Sequence, residues 1–228
     1  MDISASDIYS FYDSKLGGMV KRIIRQKIIS VIRDNRDYDI CGYGYASPYL
    51  SFIEKHYKKS KVMELRPDFL DGDVSEKYNF EQKFIHEYFL PMEPSTVDMV
   101  ISTHLLELVE KPQSSIEEIW RILKPNGYFI TVLPRRSGIW ARYDNSPFGY
   151  GRSYSSRQFN KLIDDFFVLD QKKSFLHFPP WKHYVNYKSH KTIENLGNKF
   201  FPYMGGLMFC VCKKIVYAKK LTKYKKIP

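Results

Sequence analysis

The stretch "DICGYGYASPYL" (residues 39–50) predicts a strand that turns sharply into a helix. Two glycines one residue apart, Gly42 and Gly44, follow a short apolar lead, and the chain leaves the turn through Ala46 and Ser47. In a parallel sheet covered by helices, the first turn from strand to helix is the usual contact for a cofactor, because small residues let the backbone approach the ligand closely. The stretch therefore predicts a ligand site in an α/β fold.

Short apolar runs alternate with helical segments on both sides of this turn. We predict strands at residues 38–41, 62–65, 83–85, 97–102 and 128–133. Helical or turn-rich segments are predicted at residues 48–59, 71–77 and 114–123, the last of which begins near Pro112 and is stopped by "KPNG". This alternation requires crossover connections, and it therefore indicates a parallel sheet covered on both faces.

The two ends of the chain depart from the alternation. Residues 5–34 are predicted to be helical, with apolar side chains near one face and basic ones opposite. After a helix at residues 155–166, a sixth strand begins at residue 167 and "GGLMFCVCKKIVYA" (residues 205–218) forms a seventh. No helix is evident between these last two strands, so we expect them to pair as an antiparallel hairpin.

The predicted fold class is thus α/β, with a Rossmann-like, mostly parallel sheet of seven strands, an antiparallel last strand and helices on both faces. We divide the chain into an N-terminal helical cap (residues 1–35), the α/β domain (residues 36–218) and a basic tail (residues 219–228). A chain of 228 residues is long enough to bury a full core.

Composition argues against membrane-spanning, secreted, disulfide-rich and zinc-binding proteins. No run approaches the roughly 18 apolar residues that a membrane span needs, and "MDISASD" at the N-terminus is acidic where a signal peptide would be basic, so we expect a cytoplasmic protein. The three cysteines, Cys41, Cys210 and Cys212, are too few and too badly spaced for a disulfide framework or a zinc site. We interpret them as small buried hydrophobic residues. No metal is implied.

The net charge of +11 lies mostly in one segment. Residues 213–226 carry seven lysines and no acidic residue. We interpret this segment as a solvated tail, with contact to a polyanion such as nucleic acid as the alternative. The sequence leaves the oligomeric state open.

Two classes of cofactor compete for the glycine turn. A dinucleotide fingerprint requires a third Gly or Ala three residues after Gly44, where this chain has Ser47, and no phosphate-binding P-loop is present. The pattern G-x-G-x-A, with Asp39 three residues before the first glycine, is more typical of an adenosyl amino acid site.

Three segments together resemble the class I S-adenosylmethionine-dependent methyltransferases. They are "DICGYGYASPYL", "LPMEPSTVDMVISTHLLE" and "EEIWRILKPNGYFITVLP", which match the glycine motif, the acidic fourth-strand motif and the following strand motif in the family's order and spacing. The resemblance covers roughly residues 36–217, and "PRRSGIWARYDNSPFGYGRSYS" is similar to an uncharacterised bacterial branch of small-molecule-type methyltransferases. The family implies a seven-stranded sheet and S-adenosyl-L-methionine as the cofactor.

The resemblance also implies cofactor contacts. The turn that passes under the methionine part of the cofactor corresponds to Gly42, Tyr43, Gly44 and Ala46. The family's ribose-binding acidic residue at the end of the second strand is matched here by Arg66, so Glu64 or Asp68 replaces it only if the strand end is shifted. The family's polar contact near the adenine corresponds to Glu87. A carboxylate fits there because it accepts a hydrogen bond from the exocyclic amine, and the alternative is an exposed Glu87 without a ligand role.

His104 is the candidate catalytic residue. It ends the fourth strand, where a methyl acceptor would approach, and a histidine at this edge could take a proton from a hydroxyl or an amine. A role for His104 in positioning or in cofactor contact is the alternative, and Glu107 either orients it or faces water. Asp98, at the start of the strand, is expected to be structural. Alignment and desolvation of the acceptor supply most of the catalysis in methyl transfer, so no catalytic triad is required.

The segment after the fifth strand holds the candidate acceptor-binding residues. Arginines and aromatic residues are interleaved there. This combination suits an anionic or aromatic acceptor, because guanidinium groups pair with carboxylate or phosphate and rings supply flat apolar walls. The predicted substrate-binding residues are Arg135, Trp140, Arg142, Phe148, Tyr150, Arg152 and Tyr154. The alternative is a surface loop with solvated arginines.

The sequence therefore predicts a methyltransferase that acts on a small molecule, anionic or aromatic in character. Two other hypotheses remain. One is a non-catalytic member of the fold that binds a cofactor or a partner, suggested by Arg66 in place of the ribose-binding acid. The other is an RNA methyltransferase, suggested by the lysine tail and the arginines.

Overall fold

The computed structural model describes residues 3–32, 36–70, 78–86, 88–143, 146–180 and 187–215. The helices in these residues are α1 (Ala5–Asp13), α2 (Lys15–Ile29), α3 (Ser47–His56), α4 (Pro112–Ile122), α5 (Ser156–Ile163) and α6 (Tyr187–Phe200). The strands are β1 (Asp39–Gly44), β2 (Lys61–Pro67), β3 (Glu81–Ile85), β4 (Val97–Thr103), β5 (Leu123–Pro134), β6 (Phe167–Phe175) and β7 (Leu207–Lys214). Within this part of the chain, no helix is both long and apolar enough to cross a bilayer.

The seven strands form one sheet in the order β3-β2-β1-β4-β5-β7-β6. The pairs among β1 to β5 are parallel, while β7 lies antiparallel between β5 and β6. This topology confirms the predicted fold class. The strand order reverses between β1 and β4, and ligands of such sheets bind beyond the carboxyl ends of the strands at this switch point.

The prediction of a hairpin between the last two strands is wrong in one respect. The strands β6 and β7 do pair antiparallel, but α6 lies between them. The helix was not recognised because "YKSHKTIENLGNKF" is mostly polar, and Gly197 interrupts it. The predicted segment at residues 71–77 and the tail beyond residue 215 lie outside the described residues.

The N-terminal cap consists of two helices that meet at Ser14. The Ser14 hydroxyl accepts a hydrogen bond from Gly17 N and donates one to Phe11 O, so it caps α2 where α1 ends. Gly17 is needed at this corner, since an added Cβ would lie 1.8 Å from the Phe11 carbonyl oxygen. This tight corner sets the angle between α1 and α2.

The sheet has a hydrophobic core on each face. One core joins α1, α2 and α3 to the sheet, so the cap is packed on the same face as the glycine-turn helix. The other core contains α4 and α5, together with the three cysteines. All three cysteines are buried free thiols, as predicted, and burial raises the pKa of Cys41 and Cys210 to about 12.

Asp98 at the start of β4 has the structural role expected from the sequence. Its carboxylate accepts hydrogen bonds from Asp39 N and from Lys124 Nζ, both at 2.9 Å, and so ties β4 to β1 and β5. Burial acts to raise the pKa of Asp98, but these hydrogen bonds and the charges of Lys124 and Arg36 outweigh it, and the pKa is lowered.

We expect Asp98→Asn to lower the free energy of unfolding by about 1 kcal/mol at neutral pH, because the carboxylate is partly exposed and its charge is screened. A group whose pKa is lowered by folding stabilises the protein above its unfolded pKa, and this contribution is lost as the pH falls through the folded value. The difference between wild type and variant should therefore start to shrink below about pH 4, near the unfolded pKa, and disappear only when the pH has fallen below the lowered pKa of the folded state.

Urea unfolding at several pH values measures this difference. Glu117→Gln is the control, because Glu117 is an exposed carboxylate on α4. A difference that stays constant between neutral and acidic pH would contradict the assignment of the effect to the Asp98 charge.

Candidate active site

The glycine turn is fixed to the end of β4 by backbone contacts. Tyr45 N donates to the Thr103 carbonyl at 2.8 Å, and the Thr103 hydroxyl donates back to Tyr45 O at 2.6 Å. Gly44 has a positive φ of 102°, and an added Cβ would lie 2.5 Å from the Thr103 carbonyl oxygen. At Gly42 an added Cβ would lie 2.5 Å from Leu50 Cδ1. Both glycines are thus required by close packing at the switch point.

Glu64 lies beside the turn and holds the start of α3. It is opposite Gly42 in the register between β1 and β2. One oxygen of its buried carboxylate accepts from Ala46 N and Ser47 N, both at 2.7 Å, where the helix N-terminus favours negative charge. The other oxygen accepts from the side chains of Ser47, Arg66 and Gln82.

Arg66 is the buried partner of Glu64. Its Nη2 donates to Glu64 Oε2 and to the Ser47 hydroxyl, both at 2.8 Å, and its guanidinium carbon lies 5.0 Å from the centre of the Tyr45 ring. Arg66 Nε and Nη1 are buried without a hydrogen-bond partner among the described residues. Buried donors of this kind are normally paired, so these two positions favour a ligand atom or a water there.

His104 is completely buried at the carboxyl end of β4, in a left-handed conformation with φ 52°. Its Nε2 lies 2.8 Å from the Tyr12 hydroxyl, which also accepts a hydrogen bond from the Tyr49 hydroxyl at 2.8 Å. Burial raises the pKa of Tyr12 well above its ordinary value, with Tyr49 and Glu107 adding to the shift. Tyr12 therefore stays protonated and donates to Nε2.

This arrangement assigns the proton of the neutral His104 ring to Nδ1, on the side of Glu107. The Nδ1 atom lies 3.4 Å from Glu107 Oε1, and both side chains are fully buried. Neither oxygen of Glu107 accepts a hydrogen bond from a described residue. We name Tyr12, Tyr49, His104 and Glu107 the His104 cluster.

Aromatic side chains close the His104 cluster. The ring centres of His104 and Phe148 are 4.8 Å apart, and Phe148 contacts both Phe11 of α1 and Trp140 at 6.1 Å. Trp140 Nε1 donates to Phe178 O at 2.8 Å. The cap and the segment after β5 together exclude water from His104.

A cavity of about 340 Å³ opens at the carboxyl ends of β2, β3 and β4. Phe69 and Leu108 supply apolar surface to it, while Asp68, Glu110 and His86 supply polar groups. Flat apolar surfaces next to carboxylates suit a heterocyclic base with an exocyclic amine, because the rings stack and the carboxylates accept hydrogen bonds.

The sequence of residues 38–131 matches a family described as a methyltransferase domain. These residues contain the glycine turn, Glu64 and His104. Together with the strand order and the antiparallel β7, the match of residues 38–131 supports a methyltransferase domain with the fold of the class I S-adenosylmethionine-dependent methyltransferases.

Solved structures share this fold over most of their length. A methyltransferase from Aquifex aeolicus is similar with a TM-score of 0.63 and 16% identity, covering 94% of this chain and 100% of that one. A possible histamine N-methyltransferase from Thermotoga maritima is similar with a TM-score of 0.61 and 13% identity, covering 87% of this chain and 90% of that one. A putative methyltransferase from Haloferax volcanii, solved in complex with a methyltransferase activator, is similar with a TM-score of 0.62 and 16% identity. The match covers 93% of this chain and 99% of that one. Identities this low show the fold alone.

One curated relative is a probable polyketide synthase 13 from Dictyostelium discoideum. It is 29% identical over 111 residues, which is 48% of this chain and 4% of that protein. The chain therefore spans only a small part of this relative's length.

The structure brings some of the predicted cofactor residues together and separates others from them. Gly42, Gly44, Ala46, Glu64 and His104 meet at the switch point. In contrast, the Tyr43 side chain is packed in the core on the α4 and α5 side of the sheet. Glu87 lies outside the described residues. The direct register places Glu64 opposite Gly42, at the turn, and whether it replaces the ribose-binding acid stays a prediction.

The predicted acceptor residues divide into buried and exposed groups. Trp140, Phe148 and Tyr154 are buried, and the Tyr154 hydroxyl donates to Leu106 O at 2.6 Å. Tyr150 is half-buried, and so is Arg135, whose Nε donates to the Ser137 hydroxyl.

Arg142 and Arg152 are exposed. The interleaved aromatic rings therefore leave these two guanidinium groups open to water, and their role in acceptor binding stays a prediction. The rings are instead turned inward to cover His104 and the end of β4. An anionic acceptor thus gains no desolvated contact from Arg142 or Arg152 in this conformation.

Sequence reasoning did not find Tyr12 and Tyr49. Tyr49 follows the glycine turn by one helical turn, which is a local signal that it faces the site. Tyr12 lies 92 residues from His104, and its only signal is its place in an apolar stretch of a predicted helix.

Proposed function

We propose that this chain is an S-adenosylmethionine-dependent methyltransferase that transfers a methyl group to a hydroxyl or amine of a small molecule. The observation that carries this proposal is the buried His104–Glu107 pair, which lies beside the glycine turn at the switch point. The family match and the fold support the cofactor and the reaction class. The aromatic walls around His104 favour an acceptor with an apolar or aromatic body.

The residues of the site fit the cofactor. The turn from Gly42 to Ala46 would hold the methionine part, and the free donors of Arg66 offer hydrogen bonds to oxygen atoms of the cofactor. Phe69, Leu108 and the carboxylates of the 340 Å³ cavity would hold the adenosine part. When bound, the cofactor supplies a methyl group on a sulfonium, which is an activated leaving group.

In this proposal, His104 is the general base. The Glu107 carboxylate, with Oε1 3.4 Å from Nδ1, favours a proton on Nδ1 and would stabilise the charge that forms when Nε2 takes a second proton. Tyr12 relays this proton: its hydroxyl oxygen accepts the proton of the nucleophile while its own proton moves to Nε2. Tyr49 donates to the same oxygen and so keeps Tyr12 oriented. The negative charge of Glu107, buried without a donor among the described residues, also favours the cationic cofactor.

A second candidate is a non-catalytic, cofactor- or partner-binding member of the fold. It is favoured by the Glu64 carboxylate, whose two oxygens already accept five hydrogen bonds from protein donors, which leaves little capacity for the ribose hydroxyls. An RNA methyltransferase rests only on the charge of the chain, and most of the tail that carries this charge lies outside the described residues.

Calorimetry with S-adenosylhomocysteine, the demethylated cofactor, tests the proposal. We expect saturable binding by the wild type, and a loss of affinity of about tenfold in Phe69→Ser, because half-exposed Phe69 lines the cavity assigned to the adenosine. Phe89→Ser is the matched control, since Phe89 is also an exposed phenylalanine but does not line this cavity, and its affinity should equal that of the wild type.

Absence of heat at millimolar S-adenosylhomocysteine, from a sample shown to be folded by circular dichroism, would contradict the proposal. Equal losses in the two phenylalanine variants would contradict the placement of the adenosine.

A further inference from the structure

Large exposed apolar side chains are clustered on one surface of the protein. Eleven large hydrophobic residues are exposed in the described part of the chain, and seven of them lie on or next to α6. These seven are Ile139, Ile193, Leu196, Phe200, Phe201, Tyr203 and Met204. Contiguous exposed apolar surface on a folded protein generally marks a binding site.

This surface encloses a cavity of about 730 Å³, which we name the α6 cavity. Its walls come from three segments: the turn after β5, the end of β6 and α6 with the residues that follow it. The principal apolar residues are Ile139, Leu176, Ile193, Leu196, Phe200 and Met204. Its volume lies within the range of about 300–1,000 Å³ that is typical of small-molecule sites.

The α6 cavity is built by specific contacts rather than left between loosely packed elements. The Glu194 carboxylate accepts from Leu176 N at 3.1 Å and from His177 N at 2.9 Å, so α6 is held to the end of β6. Gly197 allows the close approach, because an added Cβ would lie 2.3 Å from the His177 ring. The walls are therefore held in a concave shape.

The residues that line the α6 cavity include no Asp, Glu, Lys or Arg, and the His177 ring lies close to other protein groups. His177 Nε2 lies 3.1 Å from Phe201 O, and its Nδ1 lies 3.4 Å from Glu194 Oε1. Ser137 accepts a hydrogen bond from Arg135 Nε. A charged ligand group would find no free counter-charge among the lining residues, so the cavity favours an uncharged, apolar group.

The α6 cavity also shares a wall with the candidate active site. Ile139 lines the cavity, while the adjacent Trp140 is packed against Phe148, which contacts His104. Gly206 makes this possible, because an added Cβ would lie 2.2 Å from the Trp140 ring. Two aromatic rings thus separate the cavity from the His104 cluster.

We propose that the α6 cavity binds the uncharged apolar chain, acyl or isoprenoid, of a small molecule. The concave shape, the volume and the absence of Asp, Glu, Lys and Arg from its described lining favour a single apolar chain over a flat protein partner. The proposal concerns a site outside the His104 cluster and does not depend on the methyltransferase activity.

Calorimetric titration with 1-dodecanol, an uncharged twelve-carbon chain, tests the proposal. We expect saturable binding to the wild type at a stoichiometry of one. Leu196→Gln and Phe200→Gln should each weaken binding at least tenfold, because they put an amide on the cavity wall. Val168→Gln is the control, since Val168 is equally exposed but lies on β6 away from the cavity, and its affinity should stay within twofold of the wild type. The three substituted side chains are all exposed, so folding should be retained.

Lack of saturable 1-dodecanol binding by folded wild type would overturn the proposal, and so would an equal loss in Val168→Gln. Light scattering on the same samples measures the oligomeric state and so tests the alternative that a second copy of the chain binds this surface. A dimer that Phe200→Gln dissociates, and that 1-dodecanol does not, would show that the surface is an interface and would overturn the proposal. The S-adenosylhomocysteine titration is measured separately, so failure of the proposed function and failure of this site are distinguishable.

Discussion

Glu64→Ala is expected to lower the free energy of unfolding by about 3–5 kcal/mol, because it leaves the charge of Arg66 buried without a partner. The side chains of both residues are about 1% exposed or less, and they lie 2.8 Å apart. The substitution also removes the acceptor of the Ala46 and Ser47 N–H groups at the start of α3. Loss of the charge pair and loss of the cap act in the same direction.

Chemical unfolding of the variant and the wild type measures this loss. Glu81→Ala is the matched control: Glu81 is on the neighbouring strand β3 and pairs with Lys83 at 2.8 Å, but both side chains are at least half exposed. Exposed pairs of this kind contribute about 0–1 kcal/mol. Similar losses in both variants, or a Glu64→Ala protein as stable as the wild type, would show that Arg66 finds another partner or that water reaches it.

His104→Ala is expected to lower the rate of methyl transfer by about 10²–10⁴, the usual contribution of a general base. The affinity for S-adenosylhomocysteine should change little, since in the proposed mechanism His104 takes up the proton of the acceptor and does not hold the cofactor. Tyr12→Phe should also lower the rate, because it removes the hydroxyl that donates to Nε2. Glu107→Gln should lower the rate less than His104→Ala, since it keeps the shape of the side chain and loses only the charge.

The measurement is transfer of a labelled methyl group to hydroxyl and amine compounds with an apolar body, followed by kcat and KM for the acceptor that is found. His56→Ala is the control, because His56 is an exposed histidine on α3 that stacks on Phe52. A fully active His104→Ala protein would exclude the general-base role. Loss of cofactor affinity in that variant, with folding retained, would instead assign His104 to the cofactor pocket.

Local patterns predicted most of the fold. The glycine turn, the alternating strands and helices, and the antiparallel last strand all follow from spacing within about ten residues, and all are confirmed. The helix α6 was missed because its residues are mostly polar and its apolar side chains face a surface cavity rather than the core. Hydrophobic periodicity indicates a helix only when one face of the helix is buried in the core, and α6 buries little apolar surface there.

The candidate site was predicted less completely than the fold. The residues at the carboxyl ends of the strands, such as Glu64 and His104, are placed by the strand pattern alone. The family pattern matched Arg66 to the ribose-binding position, but the register shows that Glu64 lies at the turn and that Arg66 neutralises it. Arg142 and Arg152 are predicted acceptor residues in a segment where arginines and aromatic residues are interleaved, whereas in the structure the buried rings of this segment turn inward and both arginines are exposed.

The sequence by itself determined the order of the elements, the position of the glycine turn and the place of His104 at the end of β4, because these depend on residue types within a few positions of one another. Tertiary structure alone decided that α1 covers this histidine, with the Tyr12 hydroxyl 2.8 Å from Nε2. It also decided that α6 and the turn after β5 enclose an apolar cavity. The physical reason is that such contacts join segments far apart in the chain, and their geometry is set by how helices pack on the sheet rather than by any local periodicity.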